Sequence, residues 1–234
     1  MTRVVVPVAV LENQAVPLGL MTLLGTMDVT VLGYHVLPEQ TPPDQARQQY
    51  EDRANEALED VAEEFRAAGG DADYRLVFTG DRQKSIARVA EEVDARAYAL
   101  TGATGEVDRL LVSLSGNVAA DRILSFVVEL VGDRDIDVTL LRVAGDEGIT
   151  NLDEAADRLV DEGIAVERIA ATKRGPLEAL LDAVPDHDAI VMGEQAPSLG
   201  SFLFGEVTER VAAESVGPVL VVRRDENLDG EAGG

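Results

Sequence analysis

Glycines and one acid follow an apolar run near the end of the chain, in a pattern that could hold a phosphate. The run "DAIVMGE" reaches Gly193, and a later stretch, "SLGSFLFGEVTERV", places Gly205 before a helix-like segment. Glycines let the backbone approach a phosphate, and free amides at a helix N-terminus point at it. Glu206, however, directly follows Gly205, where a phosphate-binding loop favours a small hydroxyl or a bare amide. The pattern indicates a nucleotide cradle with an acid at its anion position.

The rest of the sequence offers little for catalysis. The 234 residues include no cysteine, and the two histidines, His35 and His187, are far apart in the chain. This composition excludes a disulfide framework, a thiolate nucleophile and a cysteine metal site, and it disfavours a histidine-rich one. Carboxylate pairs carry no weight, because 44 Asp and Glu residues make chance pairs inevitable. We therefore expect no catalytic residues, no metal site and no enzymatic activity.

Acidity dominates the composition. The formal net charge is −24, and all but two of the 20 basic residues are arginine, the exceptions being Lys84 and Lys173. Such a surface would repel a phosphate backbone, so nucleic-acid binding is disfavoured. Abundant acids with scarce lysine suggest a halophilic protein, because the Debye length falls to roughly 3 Å at 1 M salt and surface charges then stop repelling one another at a distance.

No targeting segment is predicted. Residues 1–12 carry one positive charge and a short apolar run, unlike a secretory signal. The longest apolar stretches, near Leu18–Met27 and Ile123–Val131, are shorter than the roughly 20 residues that a membrane span needs. We expect a cytoplasmic protein without membrane insertion and with an acidic disordered tail at residues 227–234.

The chain repeats itself. Apolar runs at Thr2–Val10 and Asp108–Gly116 are each typical of a strand buried on both faces, and each precedes an apolar helix. Second strands follow at Met27–Val36 and Ile136–Val143, and both contain the letters "DVT". Strands that alternate with helices in this way indicate βαβ units and a parallel sheet.

Both halves continue with the same order of strands and helices, and the second half then has two more elements than the first. An acidic amphipathic helix leads to third strands at Asp71–Phe78 and Ile164–Ala171. After a third helix and a fourth strand, only the second half adds a helix and the strand "GPVLVVRR". We predict a truncated first module at residues 1–106, lacking its last helix and strand, and a complete module at residues 107–226. The first helices are apolar nearly all round, so we expect them to pack against each other or the companion module.

These segments resemble the universal stress protein family in their order and in their residues. The resemblance rests on the strands "VTLLRV", "DAIVMGE" and "GPVLVVRR", and it covers nearly the whole chain. It implies an α/β fold of two tandem doubly wound parallel-sheet modules, Rossmann-like and of the adenine nucleotide α-hydrolase type. In that family, members that bind ATP carry an Asp at the end of the first strand and a loop G-x2-G-x9-G-[S/T] after the fourth.

The second module departs from that loop. Gly193 and Gly205 match two of its glycines, but Ala196 stands where the middle glycine should be. Eight residues, Pro197–Phe204, replace nine before Gly205. Glu206 replaces the Ser or Thr, and Val207 follows it. The resemblance therefore implies a degenerate nucleotide loop.

The residues at the strand ends that would complete the site match the family pattern only in part. Ser115 replaces the Asp of the first strand, although Gly116 follows it as the family pattern expects. Val143 matches the valine that would line an adenine pocket. In the first module Ala9 stands in place of the Asp. Ser115, Gly116 and Val143 thus join the loop residues as a candidate, degenerate cofactor site.

Glu206 is the strongest argument against ATP binding. A carboxylate about 4 Å from a phosphate charge costs roughly 1 kcal/mol in water and roughly 4 kcal/mol at an effective dielectric of 20. At a helix start the same side chain gains about 0.3–1 kcal/mol, so it either fills the anion site or is an ordinary first-turn acid. Two functions stay open: a non-catalytic regulatory or interaction protein of the stress response without a cofactor, and a stress sensor that binds ATP or AMP.

Partners are predicted from the last elements. Each chain has one "GPVLVVRR" strand, and an unpaired apolar edge strand is a liability. We therefore expect a homodimer through antiparallel pairing of Val219–Val222. The segment "SFLFGEVTERVA" resembles transporter-associated members of the family, which makes a membrane transporter a second candidate partner. Phe202 and Phe204 in that segment either contact a partner or plug the vacated pocket.

Overall fold

The structure, a computed structural model, describes residues 1–12, 15–37, 43–100, 102, 105–114, 118–143, 151–171, 176–194, 206–215 and 217–224. Elements before residue 106 are β1 (Arg3–Ala9), α1 (Leu18–Leu23), β2 (Asp28–Val36), α2 (Pro43–Ala67), β3 (Asp71–Thr79), α3 (Arg82–Glu92) and β4 (Ala97–Leu100). Those after it are β5 (Arg109–Ser113), α4 (Ala120–Val131), β6 (Asp137–Val143), α5 (Leu152–Asp161), β7 (Val166–Ala171), α6 (Pro176–Ala183), a 3₁₀ helix (Val184–Asp186), β8 (Ala189–Gly193), α7 (Glu206–Glu214) and β9 (Val219–Val222). The two sets repeat in the predicted order.

The nine described strands form one sheet. Their order is β3-β2-β1-β4-β9-β8-β5-β6-β7, so each module has the doubly wound order of a Rossmann-like fold. Strands within a module are parallel, whereas β4 and β9 pair antiparallel and join the modules. The predicted fold class is confirmed. The carboxyl ends of the strands therefore lie at opposite edges of the sheet in the two modules.

Helices cover both faces of this sheet, which explains the continuous apolar runs. Side chains of α1, α2, α4 and α5 share one core cluster, and those of α3, α6 and α7 share another. Successive strand residues point to opposite clusters, as Val4 and Val5 of β1 do. None of the described helices is both long enough and apolar enough to cross a bilayer.

The strand Val219–Val222 is not a free edge. It pairs with residues 190–193 of β8 on one side and antiparallel with Ala97–Leu100 of β4 on the other. The predicted pairing of this strand with a second chain is wrong, because both of its hydrogen-bonding edges are occupied within the chain and all four residues are buried. The first module ends at its fourth strand, and the last strand of the second module lies beside it.

The first helices of the two modules pack together, as predicted. Thr26, just after α1, donates a hydrogen bond from Oγ1 to the Glu129 carbonyl of α4 (3.2 Å). Arg134, just after α4, donates to the Thr22 carbonyl of α1 (2.6 Å) and to the Leu130 carbonyl. Both helices also bury side chains in the same core cluster. Their apolar surfaces therefore form the contact between modules on this face.

Equivalent glycines end the second helix of each module. Gly69 follows α2 with φ +116°, and Gly163 follows α5 with φ +83°. This left-handed backbone favours glycine because it has no Cβ to clash. The repeat seen in the sequence thus extends to the turn that directs the chain into β3 and β7.

Candidate functional site

The carboxyl ends of β5, β6 and β8 meet at one edge of the second module, which we call the carboxyl edge. Ser113 of β5 lies beside Leu141 of β6 and Met192 of β8. Gly193 and Val143, the last residues of β8 and β6, lie just beyond. Ligands of open α/β sheets bind outside this kind of edge. The structure therefore brings two of the predicted site residues to the place where a nucleotide would bind.

Gly193 is required by close packing against α4. A Cβ placed on it would lie 2.9 Å from the Cβ of Val118 and 3.2 Å from the Cδ1 of Ile123. Real Cβ atoms essentially never approach another heavy atom so closely, so a larger residue here would displace the start of α4. The glycine predicted as part of a phosphate loop thus has a structural reason that needs no ligand.

Glu206 is the first residue of α7. Because β8 and β9 are parallel neighbours, the connection returns from the carboxyl edge, and α7 begins on that side. The backbone thus places Glu206 and Val207 in the first turn of a helix whose free amides face the carboxyl edge. An acid at this position is favoured by the helix dipole.

Several predicted site residues fall outside the described parts of the chain. They are Ser115, Gly116, Ala196 and Gly205, and the side chains of Val143, Glu206 and Val207. The aromatic pair Phe202 and Phe204 and the tail at 227–234 also lie outside them. What is established for the site is the common edge formed by Gly193, the end of β6 and the start of α7.

A match to a family model settles what kind of module this is. Residues 148–223 match the Universal stress protein family. The second module belongs to the universal stress protein family. The matched segment runs from α5 to β9, so it includes both Gly193 and Glu206. The recognition made from the sequence is confirmed.

Solved structures extend the likeness of fold over the whole chain. A universal stress protein from Archaeoglobus fulgidus DSM 4304 shares 21% identity with a TM-score of 0.65, covering 95% of this chain and 98% of its own. A protein from Pseudomonas aeruginosa PAO1 whose function is given as unknown shares 15% identity with a TM-score of 0.54, covering 97% of this chain and 94% of its own. Identities this low show the fold alone. No curated protein matches the sequence.

Beside its carboxyl edge, the universal stress protein module is tied to the first module by Arg223 and Arg96, and Arg122 connects these two. Arg223, directly after β9, donates from Nη1 to the carbonyls of Ala90 (3.2 Å) and Ala95 (3.1 Å) near the end of α3. Arg122 of α4 donates from Nε to the Arg223 carbonyl (2.7 Å). Arg96 donates from Nη2 to the Arg122 carbonyl (3.0 Å). The end of β9 is thereby fixed against the first module.

These arginines were missed by sequence reasoning, although a signal existed. The near absence of lysine was attributed to salt adaptation alone. A guanidinium carries five donors in a planar fork, whereas an ammonium is a compact charge with three donors. Arg223 donates to both carbonyls from a single nitrogen, Nη1. Some of the arginines therefore serve the junction between modules.

An acid follows Gly193 directly at the same edge. Glu194 donates its backbone amide to the Val222 carbonyl (2.8 Å), and its carboxylate Oε2 accepts the amide of Arg224 (3.2 Å). Burial raises the pKa of the neighbouring Tyr98 hydroxyl well above its ordinary value, Glu194 raises it further, and Arg223 lowers it. The phenol of Tyr98 therefore stays neutral and adds no charge. The described part of this edge presents a carboxylate fixed by hydrogen bonds.

Proposed function

We propose that this universal stress protein is a non-catalytic regulatory or interaction protein of the stress response, and that its carboxyl edge does not bind ATP. The observation that carries the proposal is the position of Glu206 as the first residue of α7. A triphosphate at this helix start would meet a carboxylate where its own charge needs amides. An acid at a helix start is in general favoured by the free amides and the helix dipole, which supports an unliganded state.

A second acid supports the proposal. The Glu194 carboxylate is held by the Arg224 amide next to Gly193. A carboxylate about 4 Å from a phosphate charge costs roughly 1 kcal/mol in water and more at lower dielectric, so Glu194 acts against an anion at this edge.

The non-enzymatic part of the proposal rests on the histidines. His35 lies in β2 of the first module, and His187 follows the 3₁₀ helix of the second. Neither histidine therefore stands at the carboxyl edge of β5 and β8, where a histidine acting as general base on a bound nucleotide would have to lie. The proposed function then depends on contacts that the protein surface makes with other proteins. A membrane transporter remains one proposed partner.

Titration of ATP into the purified chain tests the proposal. Wild type, Glu206→Ser and the matched variant Glu214→Ser, which removes an acid from the other end of α7, would be compared by isothermal titration calorimetry. We expect no saturable binding by wild type or Glu214→Ser, and a gain of affinity in Glu206→Ser. Micromolar binding by wild type would overturn the proposal in favour of the adenine-nucleotide sensor.

We also propose that the acidic surface is adapted to concentrated salt. With a net charge of −24 the native chain repels itself, and salt near 1 M screens that repulsion beyond roughly 3 Å. Melting temperatures measured from 0.1 to 3 M KCl should rise steadily, more than those of a chain with a balanced charge. A melting temperature that does not rise with KCl would contradict the adaptation.

A further inference from the structure

The two outermost strands of the described sheet, β3 and β7, are equivalent in the repeat but differ in how far they are covered. In the first module the 25-residue α2 packs along β3, so Ala72 is buried and Tyr74 and Leu76 pack against the core. In the second module α5 has only 10 residues, and four consecutive residues of β7, Glu167–Ala170, are exposed. Successive strand residues point to opposite faces, so both faces of β7 are open to solvent here.

The hydrogen-bonding edge of β7 that faces away from β6 is also free among the described strands. The Val138 amide of β6 donates to the Ala165 carbonyl (2.9 Å), and Val138 is the register partner of Val166. In a parallel ladder the backbone groups of successive residues point alternately to either side. Those of Val166, Arg168 and Ala170 therefore point outward, where they can pair with another strand.

The sequence of β7 offers little protection to this edge. Natural edge strands are commonly guarded by lysine, proline or a bulge, which discourage pairing with a second chain. The six residues of β7 include neither lysine nor proline, and their register with β6 runs without a bulge. Glu167 and Arg168 carry opposite charges, and Arg168 Nε and Nη2 lie 3.6 Å and 3.7 Å from carboxylate oxygens of Asp153 and Asp157. The edge therefore has no block of like charge to keep a second strand away.

The residues of β7 allow a symmetric antiparallel pairing with a second copy of the strand. A two-fold axis perpendicular to the sheet keeps each residue on its own face, so the pairing must be centred on one residue. A centre at Glu167 or Arg168 would place like charges directly opposite each other, which is unfavourable. A centre at Ile169 places Arg168 opposite Ala170 and Glu167 opposite Ala171. In that register no two charges of one sign are opposite.

The register centred on Ile169 also uses the outward backbone groups. Arg168 and Ala170 of the two strands would exchange N–H···O=C bonds on both sides of the axis. The two Ile169 residues would form a non-hydrogen-bonded pair, in which the Cα atoms lie about 4.5 Å apart. Ile169 is 38% exposed, so this contact would cover its apolar surface. A centre at Ala170 would pair only the last three residues of β7 and would form fewer bonds.

We propose that two copies of this chain associate through antiparallel pairing of β7, centred on Ile169, so that their sheets become one continuous sheet. The net charge of −24 on each chain opposes association, and salt near 1 M screens that repulsion beyond roughly 3 Å. Association therefore strengthens as KCl rises. Because a single strand pair makes a small interface, the dimer is in equilibrium with the monomer. The pairing does not depend on whether ATP binds at the carboxyl edge.

Disulfide cross-linking tests the register directly, because the chain contains no cysteine. In Ile169→Cys the two copies of the new residue would lie opposite each other, at a Cα separation that a disulfide can span. Mild oxidation in concentrated KCl should therefore give a covalent dimer. Glu167→Cys should not cross-link, because its two copies would lie roughly 13 Å apart, a separation of four strand residues. Equal cross-linking of Glu167→Cys, or of the exposed control Val160→Cys on α5, would overturn the proposal.

Sedimentation velocity measures the strength of association. Wild type should pass from monomer to dimer as its concentration rises, with a dissociation constant that falls as KCl is raised. Ile169→Lys places like charges opposite each other at the axis and should weaken association about tenfold or more. The matched control Val160→Lys makes the same change of charge at another exposed apolar side chain and should leave the dissociation constant unchanged. A monomer under all conditions, or equal weakening by the two variants, would overturn the proposal.

Proline substitutions test which backbone groups are used. The Ala170 amide points away from β6, so Ala170→Pro should weaken association several-fold and leave the circular dichroism melt close to that of wild type. The Ile169 amide points toward β6, so Ile169→Pro should lower the melting temperature of the chain itself. Unchanged association of Ala170→Pro would contradict the strand pairing. A melting temperature lowered equally by both prolines would contradict the assignment of outward groups and with it the proposal.

Discussion

The two modules share their order of elements and differ in how their edges are completed. At the amino edge of each module, where its parallel strands begin, the first module pairs Arg3 with Asp73, whereas the equivalent Arg109 and Glu167 stand apart beside an open cleft. The backbone register is the same in both. A repeated sequence pattern therefore predicts the strand register, and the side-chain pairs built on that register decide whether an edge is closed by an ion pair or left open.

The modules also differ in how their sheets end. The second has five strands and the first four, and β9 lies between β8 and β4. The antiparallel β4–β9 pair makes one sheet of both modules. Within the described chain, the outer edges of that sheet belong to β3 and β7. Any strand-mediated contact with a partner would therefore use β3 or β7 and leave β9 untouched.

The largest effect is expected from breaking the junction between modules. Val221→Pro removes a backbone donor and introduces a clash in a strand that is paired on both sides, which costs about 3 kcal/mol or more. We expect loss of the single cooperative unfolding transition in circular dichroism melts. Val160→Ala, at a side chain that is 53% exposed, serves as control. An unchanged melt of Val221→Pro would contradict the β4–β9 pairing.

A smaller loss is expected at the arginine that ties β9 to α3. Arg223→Ala removes one donor from each of the Ala90 and Ala95 carbonyls, at a cost of about 1–3 kcal/mol, although the Ala90 carbonyl keeps the Ala95 amide. Urea denaturation would measure it. Arg88→Ala, which removes an exposed pair with Glu92, should cost less than about 0.5 kcal/mol. Equal costs for the two variants would show that Arg223 is an ordinary surface arginine.

The N-terminal caps of α3 and α5 differ in how they respond to pH. Asp81 caps α3 by accepting the Lys84 amide, whereas Asn151 caps α5 by accepting the Asp153 amide. Asp81→Ala should cost about 1 kcal/mol. The bond from the Lys84 amide lowers the pKa of Asp81, so its contribution is full above the unfolded pKa near 3.9 and is lost as the pH falls through the folded pKa.

Asp81→Asn tests that sign. The amide keeps an acceptor for the Lys84 amide but cannot be protonated in this range, so stability near neutral pH should change little. Its loss of stability on acidification should be smaller than that of wild type in denaturation curves between pH 6 and 3. An identical pH dependence would show that Asp81 does not act as a charged cap.

The smallest effect is expected from the ion pair that closes the first amino edge. Arg3→Ala should destabilise by about 0.2–1 kcal/mol, because both partners are part-exposed and solvent screens them. Arg109→Ala, at the equivalent open position, should cost nothing measurable. Thermal melts of the two variants side by side would decide. A larger cost for Arg109→Ala would reverse the assignment of closed and open edges.

Much of the fold was predictable because the strands are buried on both faces and the helices have polar sides. The pairing of β9 was not. "AYAL" and "VLVV" both predict central strands, but an apolar run does not specify which strand lies beside it. The prediction of a free edge followed from counting strands in one module, whereas the free place beside β9 is filled by β4 of the other.

The candidate sites were predictable to different degrees. Strand ends placed Gly193 and the start of α7 at the carboxyl edge from sequence alone. The packing of Val118 over Gly193 depends on how α4 crosses the sheet, which no local pattern specifies. The open cleft lined by Arg109, Thr139 and Glu167 at the amino ends of β5, β6 and β7 was not predicted, because these residues are distant in sequence. The repeated "DVT" and the Arg that opens each module were visible signals.

The most direct test of the central claim is to ask what the purified chain carries. The purified chain would be denatured gently in low and high KCl, and any small molecule released would be identified and quantified by mass spectrometry. An empty carboxyl edge predicts no adenine nucleotide above background in either salt. Release of ATP or AMP at close to one equivalent per chain would contradict the account and make the protein a nucleotide sensor.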